Sequence, residues 1–241
     1  MKKAENHVWT KKSGAILEKA SVLDHYNRWI LSNFKGFIKG KFLEVGAGLG
    51  GLAKHLPQKD LYLSDLSPEY LALLKKETTA KVFSLDIEKE SPDKYHHYFD
   101  SILSSNVFEH IGNDARAFKN CFKLLKSRGS LLVFVPACPE IYGTLDHDLG
   151  HFRRYTLREL KAKAETAGFI IKKIRYVNLP GYFLWWGRGV LLGKVAGKSG
   201  SSATDKLLAG LFDLFITPFL FLEKFLNLPF GQSLVLIAQK P

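Results

Sequence analysis

The sequence predicts an α/β fold: a seven-stranded, mostly parallel sheet with helices on both faces. Two observations predict it. Short apolar segments with strand character alternate with amphipathic helical segments over the first two thirds of the chain, and this alternation is typical of a parallel sheet. The last two predicted strands have no ordinary helix pattern between them, which predicts an antiparallel last strand preceded by an apolar helical insertion.

The composition is that of an ordinary globular protein, and 241 residues suffice for one medium domain with a sizeable core. The net charge of +12 favours acidic partners such as nucleic acid, anionic lipid or a phosphorylated substrate, but scattered lysines fit solubility equally well. The two cysteines lack metal or redox spacing, which favours a reducing compartment. No signal peptide is evident, so we expect a cytoplasmic protein.

The first predicted element is a helix, because residues 16–38 have helical periodicity. We expect residues 1–40 to form a capping region over a single domain that spans residues 1–241. A buried strand at 42–45 then enters a glycine-rich turn. Residues 51–55 predict a short helix after that turn.

The remaining elements are predicted by apolar runs and helix caps. Ser67 is a predicted N-cap with Pro68 at the first helical position. Thr156 and Glu159 form a predicted capping box. The predicted strands are 61–64, 81–85, 100–105, 130–135, 169–177 and 233–239, and the predicted helices are 68–76, 114–125 and 157–167.

An apolar insertion occupies residues 178–232, before the last strand. Trp185 and Trp186, followed by Arg188 and Lys194, have the composition of an interfacial helix. This insertion is expected either to touch the inner membrane face or a lipid tail, or to be an ordinary hydrophobic cap on the sheet edge. Charged residues and a proline interrupt its most apolar part, so a spanning helix is not expected.

The glycine turn after the first strand is the most informative segment. Gly46 and Gly48 allow the backbone to turn sharply and approach a ligand, and with Gly51 they satisfy the dinucleotide pattern G-x-G-x-x-G. Glu44 decides between the possible ligands. A pyrophosphate would meet a like charge there, whereas the cationic end of S-adenosylmethionine would meet an attractive one.

Six segments together resemble class I S-adenosylmethionine-dependent methyltransferases, which have a Rossmann-like sheet. They are FLEVGAGLG, LYLSDLSPEYLALL, VFSLD, FDSILSSNVFEHI, LLKSRGSLLVFVPA and LVLIAQKP. A narrower similarity is to bacterial methyltransferases of polysaccharide and lipid-linked pathways, through YNRW, LDHDLGHFRRYT and LPFGQSL.

The resemblance implies S-adenosylmethionine as the cofactor. It implies that Glu44 stabilises the methionine amine, that Asp65 accepts hydrogen bonds from both ribose hydroxyls, and that Asp86 takes the adenine amino group. Asn106 is expected to face the methyl-donor end. The implied cofactor contacts are Tyr26, Asn27, Glu44, Gly46, Ala47, Gly48, Gly50, Asp65, Leu66, Asp86, Ile87 and Asn106.

A hydroxyl acceptor needs a proton acceptor, and histidine is the usual choice. We favour His151, oriented by Asp148, with His110 as the second choice and Tyr155 as a further candidate. The alternative for His151 is a loop histidine that only shapes the lid.

Two further readings concern the same loop. Arg153 and Arg154 could clamp a phosphate or carboxylate, or form a solvated basic turn. The loop acids and histidines, Asp146, His147, Asp148 and His151, do not have a strong metal-ligand spacing, so no metal is expected.

The sequence thus predicts methyl transfer to a small-molecule, glycan or lipid-linked acceptor, at oxygen. Three alternatives stay open. The glycine pattern permits an NAD-linked oxidoreductase, and the net charge permits a nucleic-acid methyltransferase, although SSNVFEH replaces the Pro-Pro segment of enzymes that methylate base amino groups. A non-enzymatic cofactor-binding protein is the third. The acceptor and the oligomeric state cannot be read from the sequence.

Overall fold

The fold is a seven-stranded sheet, as predicted, in a computed structural model that describes residues 23–57, 59–187, 220–221 and 223–241. The order is β3-β2-β1-β4-β5-β7-β6. Parallel pairing runs from β3 to β5, and β7 is antiparallel to both of its neighbours. The strands are β1 (Phe42–Val45), β2 (Leu61–Asp65), β3 (Lys81–Ser84), β4 (Phe99–Ser105), β5 (Leu125–Pro136), β6 (Ile170–Val177) and β7 (Ser233–Gln239).

Helices surround this sheet, and two of their predicted caps are confirmed. The Ser67 hydroxyl accepts a hydrogen bond from the Tyr70 amide at 3.3 Å, and Thr156 and Glu159 form the reciprocal capping box. The helices of the described residues are α1 (Asp24–Ser32), α2 (Pro68–Glu77), α3 (Asp114–Leu124), α4 (Thr144–Leu149), α5 (Leu157–Thr166) and α6 (Leu179–Trp185).

Four predicted elements differ from the structure, the first being β5, which was predicted to begin at 130 and begins at Leu125. The leading helix ends at Ser32, where the Asn33 side chain donates to the Trp29 carbonyl at 2.9 Å; the predicted residues 16–22 lie outside the described part. The helix predicted at 51–55 is a single 3₁₀ turn at Ala53–His55. The loop predicted after β5 contains α4 instead.

The core lies on both faces of the sheet and fixes the position of α1. Trp29 is fully buried, contacts Phe134 of β5 edge to face at 5.9 Å, and donates from its indole nitrogen to the Leu220 carbonyl at 3.0 Å. These contacts anchor α1 beside the carboxyl ends of the central strands. Its first turn therefore overhangs the edge where open parallel sheets bind ligands.

The described part of the apolar insertion begins with α6, and residues 188–219 lie outside the described residues. Asn178 caps α6 by accepting from the Gly181 amide at 3.0 Å. Exposed apolar side chains follow this cap, namely Phe183, Leu184, Trp186, Phe221, Phe225 and Leu226. Among the helices described, none has the length and apolar character needed to cross a membrane.

Candidate active site

A cavity of about 490 Å³ opens at the carboxyl ends of β1, β2, β3 and β4. It is lined by the carboxylates at the ends of three of these strands, Glu44, Asp65 and Asp86, and by His110 and residues 147–150. The parallel pairing of the three strands brings these ends to one edge. The cavity therefore joins the predicted cofactor residues to the predicted acceptor loops.

The glycine turn forms the floor of this cavity. The amides of Gly46 and Ala47 both donate to the Ser64 carbonyl at 2.9 Å, which holds the turn against β2. Gly46 has φ +72°, and a Cβ there would collide with the Val107 side chain. Gly48 has φ +53°, and its Cβ position faces open space. The turn therefore gives a ligand direct access to the backbone at Gly48.

A pyrophosphate site usually needs a helix that starts directly after such a turn, because its amides and dipole hold the anion. Here only the 3₁₀ turn at Ala53–His55 follows. Glu44 also places a carboxyl group, which is negative when ionised, on the cavity wall. Both features oppose a dinucleotide and remove the main support for the oxidoreductase alternative.

Glu44 fits the cationic amine of S-adenosylmethionine. The residue is only 3% exposed, and Oε2 accepts no hydrogen bond from any described residue. Burial, together with the negative charge of Asp65, raises the pKa of Glu44 to about 8. When a cation enters the cavity and the buried carboxyl group ionises, the carboxylate gains both a hydrogen bond and a counter-charge.

Asp65 and Asp86 differ in how firmly the protein already holds them. Asp65 accepts from the Gly48 amide at 2.8 Å and from the Ser67 amide at 2.9 Å, which fixes its carboxylate at the cavity wall. Asp86 lies on the same wall but pairs with the Lys89 ammonium at 2.8 Å. The Ile87 carbonyl accepts from the Asn120 side chain at 2.8 Å. Adenine binding at Asp86 thus competes with an existing ion pair.

The other predicted cofactor residues also line the cavity, with the exception of Gly50, which lies in the turn beneath it. Asn106 lies directly after β4 with φ +52°, and its amide donates to the Phe134 carbonyl at 2.8 Å. Tyr26 accepts a hydrogen bond from the Asn178 side chain at 3.2 Å. The remaining lining residues of this group are Asn27, Gly46, Ala47, Gly48, Leu66 and Ile87.

In the acceptor loops, the structure changes the order of the predicted histidines. His110, together with His147 and Asp148, lines the cavity, whereas His151 does not. The His151 ring lies against His110, with ring centroids 4.8 Å apart in an edge-to-face contact. His110 therefore meets a ligand first.

The partner of His151 is Asp146 and not Asp148. Nδ1 of His151 is 2.7 Å from the Asp146 carboxylate, which also accepts from Arg154 Nε at 2.8 Å and from the Trp185 indole at 3.0 Å. The helical turn of α4 buries Asp146 and leaves Asp148 exposed. Although burial opposes ionisation, the hydrogen bond from His151 and the charge of Arg154 hold the pKa of Asp146 below its usual value.

Glu109 is a site residue that the sequence analysis missed. Its side chain is fully buried, neither carboxylate oxygen has a hydrogen-bond partner in the described part of the chain, and Oε1 is 4.0 Å from His151 Nε2. Burial, partly opposed by the charge of His151, raises the pKa of Glu109 to about 7. We call Glu109, His110 and His151 the histidine cluster. The FEHI segment contains two of them, but only folding brings His151 beside them.

Three residues of the predicted loop are structural. Tyr155 is buried, and its hydroxyl donates to Asp114 at 2.8 Å and contacts the Phe108 carbonyl at 3.1 Å, so it does not face the cavity. Arg154 pairs with Asp146, and Arg153 pairs with Asp114 at 2.8 Å. These bonds tie the loop to its neighbours. They correct the catalytic prediction for Tyr155, and they fit neither alternative for the arginines, the anion clamp or the solvated basic turn, because both guanidinium groups are held by carboxylates.

In comparisons of the sequence with known proteins, residues 43–131 match the model of a family described as a methyltransferase domain. The 5-methylorsellinic acid synthase of Aspergillus terreus is 35% identical over 112 residues, which are 42% of this chain and 4% of the synthase. A non-reducing polyketide synthase of Aspergillus novofumigatus is 31% identical over 104 residues, which are 38% of this chain and 5% of the synthase. The chain thus corresponds to a small fraction of these relatives.

Solved structures share the whole fold. Phosphoethanolamine N-methyltransferase 2 of Haemonchus contortus, in complex with S-adenosylmethionine, has a TM-score of 0.61 at 20% identity, over 90% of this chain and 52% of that one. A SAM-dependent methyltransferase of Archaeoglobus fulgidus has a TM-score of 0.62 at 16% identity, over 94% and 99%. The domain match covers residues 43–131, and the solved structures, at 16–20% identity, show that the fold is shared.

Proposed function

We propose that the protein transfers a methyl group from S-adenosylmethionine to a hydroxyl group of a small-molecule, glycan or lipid-linked acceptor. One observation carries the proposal: His110 and Asp148 line the same cavity as the buried carboxylate of Glu44, whose Oε2 has no hydrogen-bond partner among the described residues. The two parts of the cavity have different chemistry. A cation is favoured beside Glu44, and an acceptor with a polar hydrogen beside His110.

The cofactor supplies an electrophilic methyl group on a sulfonium. The protein contributes orientation, because Asp65 is fixed by two backbone amides and the glycine turn exposes its backbone at Gly48. Alignment of two reactants in this way can supply roughly 7–11 kcal/mol of the barrier. The loop that contains α4 closes the far wall and limits the entry of water.

We propose that the acceptor binds against His110, with the histidine cluster behind it acting on the acceptor oxygen. Asp146 orients His151 toward Glu109, and the Phe152 amide donates to the Glu109 carbonyl at 2.8 Å, so the loops after β4 and β5 form one unit. Whether His151 acts as the predicted general base depends on whether the Glu109 carboxylate beside it binds a proton or a cation.

The class of acceptor is supported by the polyketide synthases found among the relatives, one of which is named for a methylated small molecule. A lipid-linked acceptor agrees with exposed Phe183, Trp186 and Phe225 and with the net charge of +12. We propose a cytoplasmic protein that touches the inner membrane face through this surface.

Transfer of a labelled methyl group tests the proposed function. The chain would be incubated with S-adenosylmethionine that carries a trideuterated methyl group and with phenolic, glycan and prenyl-phosphate-linked acceptors, and the products analysed by mass spectrometry. We expect one labelled methyl group on oxygen of one acceptor class. Glu44→Gln should reduce the yield at limiting cofactor, and exposed Glu90→Gln is the matched control. Label on nitrogen or carbon would contradict the oxygen assignment, and release of label without any acceptor product would contradict transfer.

A further inference from the structure

The histidine cluster has the composition of a metal site. One nitrogen from each of His110 and His151 and a carboxylate oxygen of Glu109 lie within 4.8 Å of one another. Two imidazoles and one carboxylate form the ligand set of catalytic zinc sites that keep one position open, and of several other divalent transition-metal sites. The three residues come from the loops after β4 and β5, so no local spacing in the sequence indicates the set.

The second observation is the unsatisfied carboxylate of Glu109. Its side chain is fully buried, and both oxygens lack a hydrogen-bond partner among the described residues. The other buried acids of these loops have cationic partners: Asp114 pairs with Lys163 at 2.7 Å and Asp146 with Arg154 at 2.8 Å. A buried carboxylate without hydrogen bonds is costly, which indicates that a further group belongs at Glu109.

The neighbours of the two imidazoles suit metal binding. His151 Nδ1 is hydrogen-bonded to the Asp146 carboxylate at 2.7 Å, which directs Nε2 toward Glu109. His110 Nδ1 is 3.3 Å from the Gly150 carbonyl. Histidines that bind metals usually hold their other ring nitrogen against a carboxylate or a backbone carbonyl in this manner.

The distances leave room for an ion. Nitrogen and oxygen ligands about 2.1 Å from a tetrahedral metal are roughly 3.4 Å apart. On binding, the Glu109–His151 separation of 4.0 Å would contract by roughly 0.6 Å and the outer limit of 4.8 Å by roughly 1.4 Å. His110 lines the cavity, so an ion has a path from solvent.

We propose that Glu109, His110 and His151 bind a divalent transition-metal ion, with zinc as the best match to the ligand set. The open position would face the cavity beside His110. If the proposed function holds, the ion would lower the pKa of a bound acceptor hydroxyl so that its proton could pass to water in the cavity, and the imidazoles would serve as ligands rather than as proton acceptors.

Zinc binding by the full chain tests the proposal without any enzymatic reaction. The chain, stripped with a chelator, would be dialysed against micromolar zinc chloride, and the bound zinc measured by elemental mass spectrometry. We expect about one tightly held ion per chain. We expect Glu109→Gln, which preserves the shape of the side chain, to weaken binding about 100-fold or more, since even outer-lying partners of metal ligands cost 10–100-fold. His147→Gln, an exposed histidine on the same cavity wall, is the matched control and should keep the ion.

Cobalt substitution reports metal binding, and melting curves show whether a variant is folded, so the two measurements together separate loss of the site from loss of the fold. Cobalt in the site should give visible absorption bands of a low-coordinate ion in the unaltered chain, and His151→Gln should abolish them while the variant still shows a cooperative melting transition. Absence of tight zinc in the unaltered chain, or equal binding by Glu109→Gln, would overturn the proposal. Calorimetry with S-adenosylhomocysteine on the same samples separates the two proposals, because cofactor binding at Glu44 does not require the ion.

Discussion

At the residue scale, two buried glutamates are central: Glu44 lines the cavity, and Glu109 directly precedes His110, which lines it. Glu44 and Glu109 each have a carboxylate oxygen without a hydrogen-bond partner in the described chain, and burial raises their pKa values to about 8 and about 7. Groups shifted by burial in this way are concentrated at functional sites. Since each gains from a positive charge, we assign the cofactor amine to one and a metal ion to the other.

The pKa of Glu44 predicts a pH dependence of cofactor binding. A cation is attracted to the ionised carboxylate, and below pH 8 the folded protein must release a proton before it gains this interaction. We expect the affinity for S-adenosylhomocysteine, which retains the amine, to fall about tenfold for each pH unit below 8. Calorimetry between pH 6 and pH 8 measures this slope, and buffers of different ionisation enthalpy would report the released proton.

Glu44→Gln supplies the control for this pH series. The amide cannot ionise, so we expect a flat profile and an affinity at pH 8 about 10–100-fold lower, the cost of a charge-assisted hydrogen bond. Glu90→Gln should behave as the unaltered chain. A slope that persists in Glu44→Gln would assign the proton to another group.

At the element scale, the loops that leave β1 to β5 form the site, and the sequence predicted these loops unequally. Acids at strand ends were predictable, because parallel strands bring their carboxyl ends to one edge. The partner of His151 was not, since it depends on α4: one helical turn buries Asp146 and exposes Asp148. Glu109 was not predicted as a site residue for a similar reason, because its neighbour His151 is distant in sequence.

The glycine turn predicts different effects of alanine at two positions. Gly46→Ala meets the Val107 side chain and a left-handed backbone, whereas Gly48→Ala meets only the backbone strain. We expect Gly48→Ala to cost about 1–2 kcal/mol of unfolding free energy and Gly46→Ala clearly more, both measured by urea denaturation.

The affinity for the cofactor is a second measurement for Gly48→Ala, separate from its stability. The Cβ of Gly48→Ala points into open space at the cavity floor, so it should weaken S-adenosylhomocysteine binding although the protein folds. Unchanged affinity in a folded Gly48→Ala variant would show that the ligand does not approach this backbone.

At the scale of the whole molecule, two features favour binding to an anionic surface. They are the basic net charge and the exposed apolar side chains of α6, Phe221, Phe225 and Leu226. The net charge of +12 favours anionic surfaces, and Phe225 is 87% exposed. Apolar anchors beside basic residues bind anionic membranes through both burial and charge. The chain offers both properties, independently of the cavity.

Sedimentation with vesicles tests this surface. We expect the chain to sediment with vesicles that contain anionic lipid at moderate salt, and not with neutral ones. Phe225→Ser combined with Phe183→Ser should reduce binding severalfold, whereas Ile170→Ser, an exposed apolar residue at the far end of β6, should not. Equal binding by all variants would limit the interaction to nonspecific charge.

The central claim is that the cavity binds S-adenosylmethionine and not a dinucleotide. Calorimetric titration of the full chain with S-adenosylhomocysteine and with NAD tests it most directly. We predict one S-adenosylhomocysteine bound per chain, no heat from NAD, and loss of affinity in Glu44→Gln. Tight binding of NAD without binding of S-adenosylhomocysteine would contradict the account.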